Sequence, residues 1–122
     1  MLLWIALGGA AGSVLRYLVG GAVQRLSGTA FPVGTLLVNV TGCFVIGVVA
    51  QHYMNTQTHQ YMRALLITGF CGGYTTFSAF SLETTALIQG GELGKAGAYV
   101  FLSVVVSLLA TFAGLAAARA AA

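Results

Sequence analysis

The chain alternates between four long apolar stretches and short polar segments. A helix needs about 20 mostly apolar residues to cross the hydrocarbon core of a bilayer. The pattern predicts four such helices, at Leu2–Val23, Val33–Ala50, Arg63–Gln89 and Gly94–Ala118. The segments between them (Gln24–Phe31, Gln51–Met62 and Gly90–Glu92) are too short for a soluble domain. We therefore expect an all-α integral membrane protein in which residues 1–122 form a single four-helix domain.

Composition agrees with this class and argues against several others. Of the 122 residues, 58% are hydrophobic and 6% are charged. The few basic residues are scattered, so no nucleic-acid partner is expected. Cys43 and Cys71 fall in predicted spans without the spacing of redox or zinc motifs, and they are expected to be small buried hydrophobes. His52 and His59 lie in a polar connection and are assigned no role.

The third apolar stretch is interrupted by glycines and polar residues. Residues 69–80 read GFCGGYTTFSAF, and the pattern predicts a helix broken near Gly72. A break inside the membrane requires protein, an ion or water to receive the freed backbone groups. In transporters, such breaks form binding sites. Phe77 and Phe80 follow the break on one helical face, either as packing residues or as rings that present positive edges to an anion.

Two other spans carry polar residues at intervals of four. Thr35, Asn39 and Cys43 share one face of the second span. The fourth span carries Tyr99, Ser103 and Ser107 in the same way. Asn39 is interpreted either as interhelical glue or as a donor to a passing ion. The serines either bond a carbonyl one turn back, or form with the tyrosine a track of hydroxyl donors along an anion path.

The first span carries a stripe of small residues that also includes an arginine. Gly8, Gly12, Arg16 and Gly20 recur every four residues and share one face. Small-residue stripes are the usual contact surface between membrane helices. On this face, Arg16 would point into protein or toward an aqueous vestibule, where it would attract anions. Alternatively, it extends to the membrane interface from an ordinary helix. Both interpretations stay open at this stage.

Flanking charges nearly cancel across the membrane. With four alternating helices, Arg63 and Arg119 lie on one side and Arg25 and Lys95 on the other. Orientation follows the excess of Lys and Arg in short loops, which is close to zero here. The chain is therefore expected to insert in both orientations, and two oppositely inserted copies could pair as an antiparallel homodimer.

Three motifs occur in order along the chain. They are GGAAGSVLRY at 8–17, PVGTLLVNVTGCF at 32–44 and GFCGGYTTFS at 69–78. They lie in the first three predicted spans, and with them the chain resembles the Fluc/CrcB family of fluoride-specific ion channels over nearly its whole length. Ser13 and Ala79 stand where the family pattern would have Ala and Thr or Ser.

The resemblance implies passive fluoride export through the cell (inner) membrane, which relieves fluoride toxicity. It also implies a dual-topology, antiparallel homodimer with two pores and a structural sodium ion on its axis. The sodium would be held by the backbone carbonyls of Gly72 and Thr75. The residues that the resemblance places along the fluoride pore are Thr35, Asn39, Phe77, Phe80, Tyr99, Ser103 and Ser107.

Other function classes make different demands on the residues. A small four-helix, dual-topology multidrug exporter would need a carboxylate deep in the membrane, and only Glu83 could serve. Otherwise Glu83 is a vestibule or packing residue. A purely structural subunit would explain the small-residue faces but not the break. An enzyme is not expected, because no nucleophile with its base and no metal cluster can be assembled from the sequence.

Overall fold

The computed structural model describes residues 1–53 and 59–121, which fold into four helical spans. The spans are Leu2–Ser27 (α1), Val33–Tyr53 (α2), the interrupted span Gln60–Gln89, and Leu93–Ala121 (α5). All four are long and apolar enough to cross a membrane, so the predicted all-α, four-span architecture is confirmed. Leu2, Val33 and Gln89 are ends as predicted, and the other ends extend past the predicted bounds by one to four residues because the helices continue beyond the apolar runs. Residues 54–58 of the predicted polar connection lie outside the described residues.

The third span consists of two helices joined by two extended residues. Its first half, α3 (residues 60–74), begins with the turn Gln60–Arg63, continues as a π-helix over Ala64–Cys71 and ends with the turn Gly72–Tyr74. Thr75 and Thr76 are extended, with φ of −85° and −148°, and α4 then covers Phe77–Gln89.

The predicted break is therefore present, but it lies three residues beyond Gly72. Gly72 is helical, with φ −63° and ψ −37°. The neighbouring glycines permit close helix packing and do not end the helix. A Cβ on Gly69 would lie 3.0 Å from the Cα of Gly8, and one on Gly73 would lie 2.5 Å from the Gly9 carbonyl oxygen. The helix ends where the side chains of Asn39, on α2, and of Thr76 accept hydrogen bonds that helix carbonyls would otherwise accept.

Glycines allow three pairs of helices to approach closely, and one of these pairs is α1 with α2, at Gly20 and Gly34. Gly8 and Gly12 of α1 face the backbone of α3. Gly47 of α2 faces Gly114 of α5, and a Cβ on either would lie 3.1 Å from the other's Cα. The predicted stripe of small residues on α1 is therefore a helix-contact surface, as expected for membrane helices.

The connection between α1 and α2 is held by one side chain. Gly28 ends α1 in the left-handed conformation, with φ 64°, which favours glycine. The Gln24 amide nitrogen donates to the carbonyls of Thr29 (2.7 Å) and Phe31 (2.9 Å), while its amide oxygen accepts from the Gly34 amide (3.0 Å). These three bonds fix the connection and place the Phe31 ring against α5.

Candidate functional site at the break of the third span

Asn39 bridges the break with both ends of its side-chain amide. Its Nδ2 donates to the carbonyl of Thr76 (3.0 Å), and its Oδ1 accepts from the amide of the same residue (2.8 Å). The carboxamide thus imitates a peptide partner for an extended residue in mid-membrane, where an unpaired backbone group costs several kcal/mol. These bonds fit the interpretation of Asn39 as interhelical glue, and the other interpretation, a donor to a passing ion, stays a prediction.

The carbonyls of Gly72 and Thr75 are among those that lose their regular helical partners, because amides are diverted at the break. In a continuous helix, the Gly72 carbonyl would accept from the amide of Thr76, and the Thr75 carbonyl from that of Ala79. The Thr76 amide donates to Asn39 instead, and the Ala79 amide donates to Thr76 Oγ1 (3.2 Å). Gly72 and Thr75 are the two residues whose carbonyls were expected to hold sodium. Unwound backbone carbonyls are typical ligands for this ion in membrane proteins.

A cavity of about 240 Å³ lies beside the break, between α2, α4 and α5. It brings together most of the predicted pore residues. Its lining residues are Asn39, Cys43, Thr75, Thr76, Phe77, Phe80, Ser103, Val104 and Ser107. None of these residues carries a formal charge. The cavity therefore combines neutral polar groups with aromatic rings in an otherwise apolar wall.

The start of α4 adds a positive partial charge at this cavity. Thr76 caps the helix through its bond from the Ala79 amide, and Phe77 and Phe80 project from the first turn. The N-terminus of a helix favours anions because its first amides lack helical partners. The Phe77 and Phe80 ring centroids are 5.4 Å apart at an interplanar angle of 53°, and Phe77 is 78% exposed. One ring of the pair is therefore largely uncovered in a single chain.

Ser103 contributes a hydroxyl that has no partner in the described part of the chain. The residue is 8% exposed, and its Oγ makes no hydrogen bond there. A buried hydroxyl without a partner costs about 1–3 kcal/mol, and such groups are rare in folded proteins. The Ser103 side chain lines the cavity together with Ser107. An acceptor inside the cavity, either an anion or water, would satisfy it.

Tyr99 is placed differently from the two serines. It is fully buried and does not line this cavity. Its hydroxyl donates to Glu83 Oε2 (2.7 Å), and its ring lies between Phe80 (5.2 Å) and Phe31 (5.6 Å). The residue spacing predicted one track of three hydroxyls. In the structure, Ser103 and Ser107 line the cavity and Tyr99 lies next to it.

Glu83 occupies the point where Thr35 and Tyr99 meet. The Thr35 hydroxyl donates to Glu83 Oε1 at 2.7 Å, and the Tyr99 hydroxyl donates to Oε2. A second cavity, of about 310 Å³, is lined by Thr35, Glu83 and Arg16. The carboxylate is thus held by one hydroxyl from α2 and one from α5.

Arg16 is directed into the protein. Its Nε donates to the Gly73 carbonyl (3.1 Å), and the Ser13 hydroxyl donates to the same carbonyl at 3.5 Å. α1 thereby supplies hydrogen-bond donors to the end of α3, just before the break. Of the two interpretations that the sequence left open for Arg16, the one directed into protein is correct.

Several contributors to the site were not recognised from the sequence. Thr76 carries the bridge to Asn39 and caps α4, Cys43 lines the cavity, and Phe31 packs on Tyr99. The interval from Thr35 to Asn39 to Cys43 already placed the thiol on the polar face of α2. Phe31 lacked any such signal, because the bonds from Gln24 that position it depend on the folded connection. The described residues contain no group of three His, Cys, Asp or Glu that could bind a metal ion.

Comparison with known proteins identifies the family. Residues 3–115 match the family described as CrcB-like protein, Camphor Resistance (CrcB). Proteins named Fluoride-specific ion channel FluC are similar over nearly the full chain. The one from Rhizobium etli is 55% identical, covering 97% of this chain and 95% of that protein. The one from Rhizobium meliloti is 53% identical, covering 98% of this chain and 96% of that protein. Fluoride-specific ion channel FluC 1 of Nitrobacter hamburgensis is 50% identical, covering 93% of this chain and 91% of that protein. The chain is a four-span, multi-pass membrane protein and belongs to the CrcB family.

Proposed function

We propose that this protein is a passive, fluoride-selective ion channel that exports fluoride across the cell (inner) membrane and so relieves fluoride toxicity. The observation that carries the proposal is the cavity beside the break, where the unpartnered hydroxyl of Ser103 lies among neutral polar groups and the rings of Phe77 and Phe80. The family match and the names of the relatives support the same conclusion.

The chemistry of this cavity suits a small, strongly hydrated anion. Fluoride accepts hydrogen bonds strongly, so a pore must replace much of its hydration with donors. Conduction also requires that the ion leave again, which favours several weak sites over one strong site. A hydroxyl at Ser103, another at Ser107 and the positive edges of two rings meet both conditions. A fixed Lys or Arg in the same cavity would hold the ion too tightly.

Our proposal includes a structural sodium ion, held by the carbonyls of Gly72 and Thr75. What supports it is the diversion of the Thr76 and Ala79 amides, which frees those two carbonyls from their helical roles. Carbonyl oxygens at an unwound segment suit sodium. Arg16 and Ser13 occupy the carbonyl of Gly73, so that carbonyl is the less available one. The ion would hold the break in shape and take no part in permeation.

The proposed assembly is an antiparallel, dual-topology homodimer with two pores. Its support is the uncovered aromatic ring at the cavity, because Phe77 is 78% exposed in a single chain. A second copy would cover this ring and complete the wall of the cavity. The balanced charges at the two ends of the helices support insertion in both orientations.

Flux of fluoride from liposomes tests the channel itself. Purified protein is reconstituted into vesicles loaded with potassium fluoride, and release is followed with a fluoride electrode after potassium permeability is provided. Fast release is expected, with no comparable release from matched vesicles loaded with potassium chloride. Absence of fluoride release, or equal chloride release, would refute the proposed function.

Reporter fusions test the dual topology separately. A reporter active only in the cytoplasm and one active only outside it are each attached at the C-terminus. Both should show activity in the unaltered protein, and two or three added arginines in one connection should silence one of them. A single orientation in the unaltered protein would refute the antiparallel dimer while leaving fluoride conduction to its own test.

A further inference from the structure

We propose that Cys43 is a modification site in the ion path, at which small neutral sulfur electrophiles attach to the thiol and close the pathway. Cys43 lies one turn after Asn39 on α2, and it lines the same cavity as the unpartnered Ser103. The consequence for ion flux rests on the proposed function. The reactivity of the thiol does not.

The two cysteines of the chain differ in access. Cys43 is half-buried and lines the 240 Å³ cavity, while Cys71 is 2% exposed and lies in the π-helical part of α3. Reagents of a few heavy atoms fit the space beside Cys43. Cys71 has no such space beside it, because its side chain is almost completely enclosed. One thiol of the two should therefore react in the folded protein.

Ser103 is the independent reason to expect a hydrophilic species at this position. Its Oγ is buried and unpartnered among the described residues, and the residue lines a cavity together with Ser107 and Asn39. A cavity with such a donor accommodates an ion or water. Because the thiol shares that space, it is accessible through the route of the permeating ion and not only from lipid.

The proposed reaction is a thiol–disulfide type exchange. With methyl methanethiosulfonate, the sulfur of Cys43 bonds to the methylthio sulfur while the sulfur–sulfur bond of the reagent breaks. Methanesulfinate leaves with the bonding electron pair, and the thiol proton passes to water. The thiol is oxidised to a mixed disulfide and the thiosulfonate is reduced to the sulfinate. The product removes a weak donor and adds an apolar group beside Ser103.

The test compares three proteins in fluoride-loaded liposomes before and after the neutral reagent. They are the unaltered chain, Cys43→Ser and the matched control Cys71→Ala. Each flux is expressed relative to that of the same protein without reagent. The unaltered chain and Cys71→Ala should lose roughly tenfold or more of their flux, because the adduct occupies space in the cavity that Ser103 and Ser107 line. Cys43→Ser should lose none, and dithiothreitol should restore the others.

Mass spectrometry of the treated protein provides a readout independent of flux. One methylthio group should be found on the unaltered chain, mapped to the peptide with Cys43, and none on Cys43→Ser. Modification of Cys71 alone, no modification, or an adduct at Cys43 with undiminished flux would each overturn the inference. If the unaltered chain conducts no fluoride at all, the proposed function fails, while the mapped adduct still reports on access to the thiol.

Discussion

The seam between α1 and α3 and the cavity between α2, α4 and α5 lie on opposite sides of one break, and they are built in opposite ways. In the seam, Gly8 and Gly12 bring backbone against backbone, with no space for a side chain. At the cavity, Asn39 and Thr76 hold the helices by side-chain hydrogen bonds and leave about 240 Å³ open.

The difference shows how a short membrane chain can be both rigid and permeable. Close glycine contacts hold helices together in lipid, where no hydrophobic driving force between helices exists. Side-chain hydrogen bonds between helices require polar groups to be buried, which costs free energy, but they leave donors and space for an ion. One Arg16 hydrogen bond links the seam to the break, because its partner Gly73 lies in the last turn of α3, just before the break.

The largest expected effect comes from filling the seam. A Cβ on Gly12 would lie 2.8 Å from the Tyr74 amide nitrogen, and backbone atoms cannot move aside as a flexible side chain can. Gly12→Leu should therefore abolish folded, monodisperse protein, as judged by size-exclusion chromatography in detergent. Gly97→Ala is the matched control, since nothing lies within 4 Å of an added Cβ there. Normal yield of Gly12→Leu would show that the seam is looser than described.

The next largest effect tests the polar bridge at the break. Asn39→Asp keeps the size of the side chain and the acceptor for the Thr76 amide, but it removes the donor to the Thr76 carbonyl and adds negative charge. Fluoride flux should be abolished, while cross-linking should still detect the assembled protein. Leu replacing Asn39 would confuse folding with function, so Asp is the informative variant. Normal flux in Asn39→Asp would eliminate the proposed role of Asn39 in the pore.

A smaller effect is expected from the rings, and it separates a channel from a proton-coupled exporter. Phe77→Ile and Phe80→Ile keep apolar bulk but remove the positive ring edges, so fluoride flux should fall by roughly tenfold in each. Glu83→Gln should matter less, because the remaining oxygen still accepts from one of its two hydroxyl partners.

A coupled exporter would show the reverse pattern, since its cycle requires a titratable carboxylate. The three variants are compared by liposome efflux at matched protein density. Intact flux in both Phe variants together with none in Glu83→Gln would favour the exporter and refute the channel.

The smallest expected effect is at the unpartnered hydroxyl. Ser103→Ala removes one neutral donor while others remain, so flux should fall by roughly threefold to tenfold, in line with a hydrogen bond of about 0.5–1.5 kcal/mol. Because Ser103 Oγ has no partner among the described residues, thermal stability in detergent should be unchanged or higher. If Ser103→Ala lowered the stability and left fluoride flux unchanged, Ser103 would be a packing residue and would not belong to the ion path.

Much of the architecture could be predicted because it depends on local properties of the chain. Four apolar runs of sufficient length require four spans. The glycines at intervals of four on α1 mark a contact face whichever helix they meet. The intervals in α2 and α5 place Asn39 and Ser103 on polar faces for the same reason.

What only the tertiary structure decided is which groups meet. The prediction placed the break near Gly72, and its exact position at Thr75 and Thr76 depends on Asn39, which reaches from another helix to replace the helical partners of Thr76. Tyr99 does not line the cavity with Ser103 and Ser107, and its hydroxyl donates a hydrogen bond to Glu83 of α4 instead. Periodicity determines the face of a helix on which a side chain lies. The position of a hydrogen-bond partner depends on how separate helices pack, and residues 37 or 16 positions apart in sequence give no local signal of that contact.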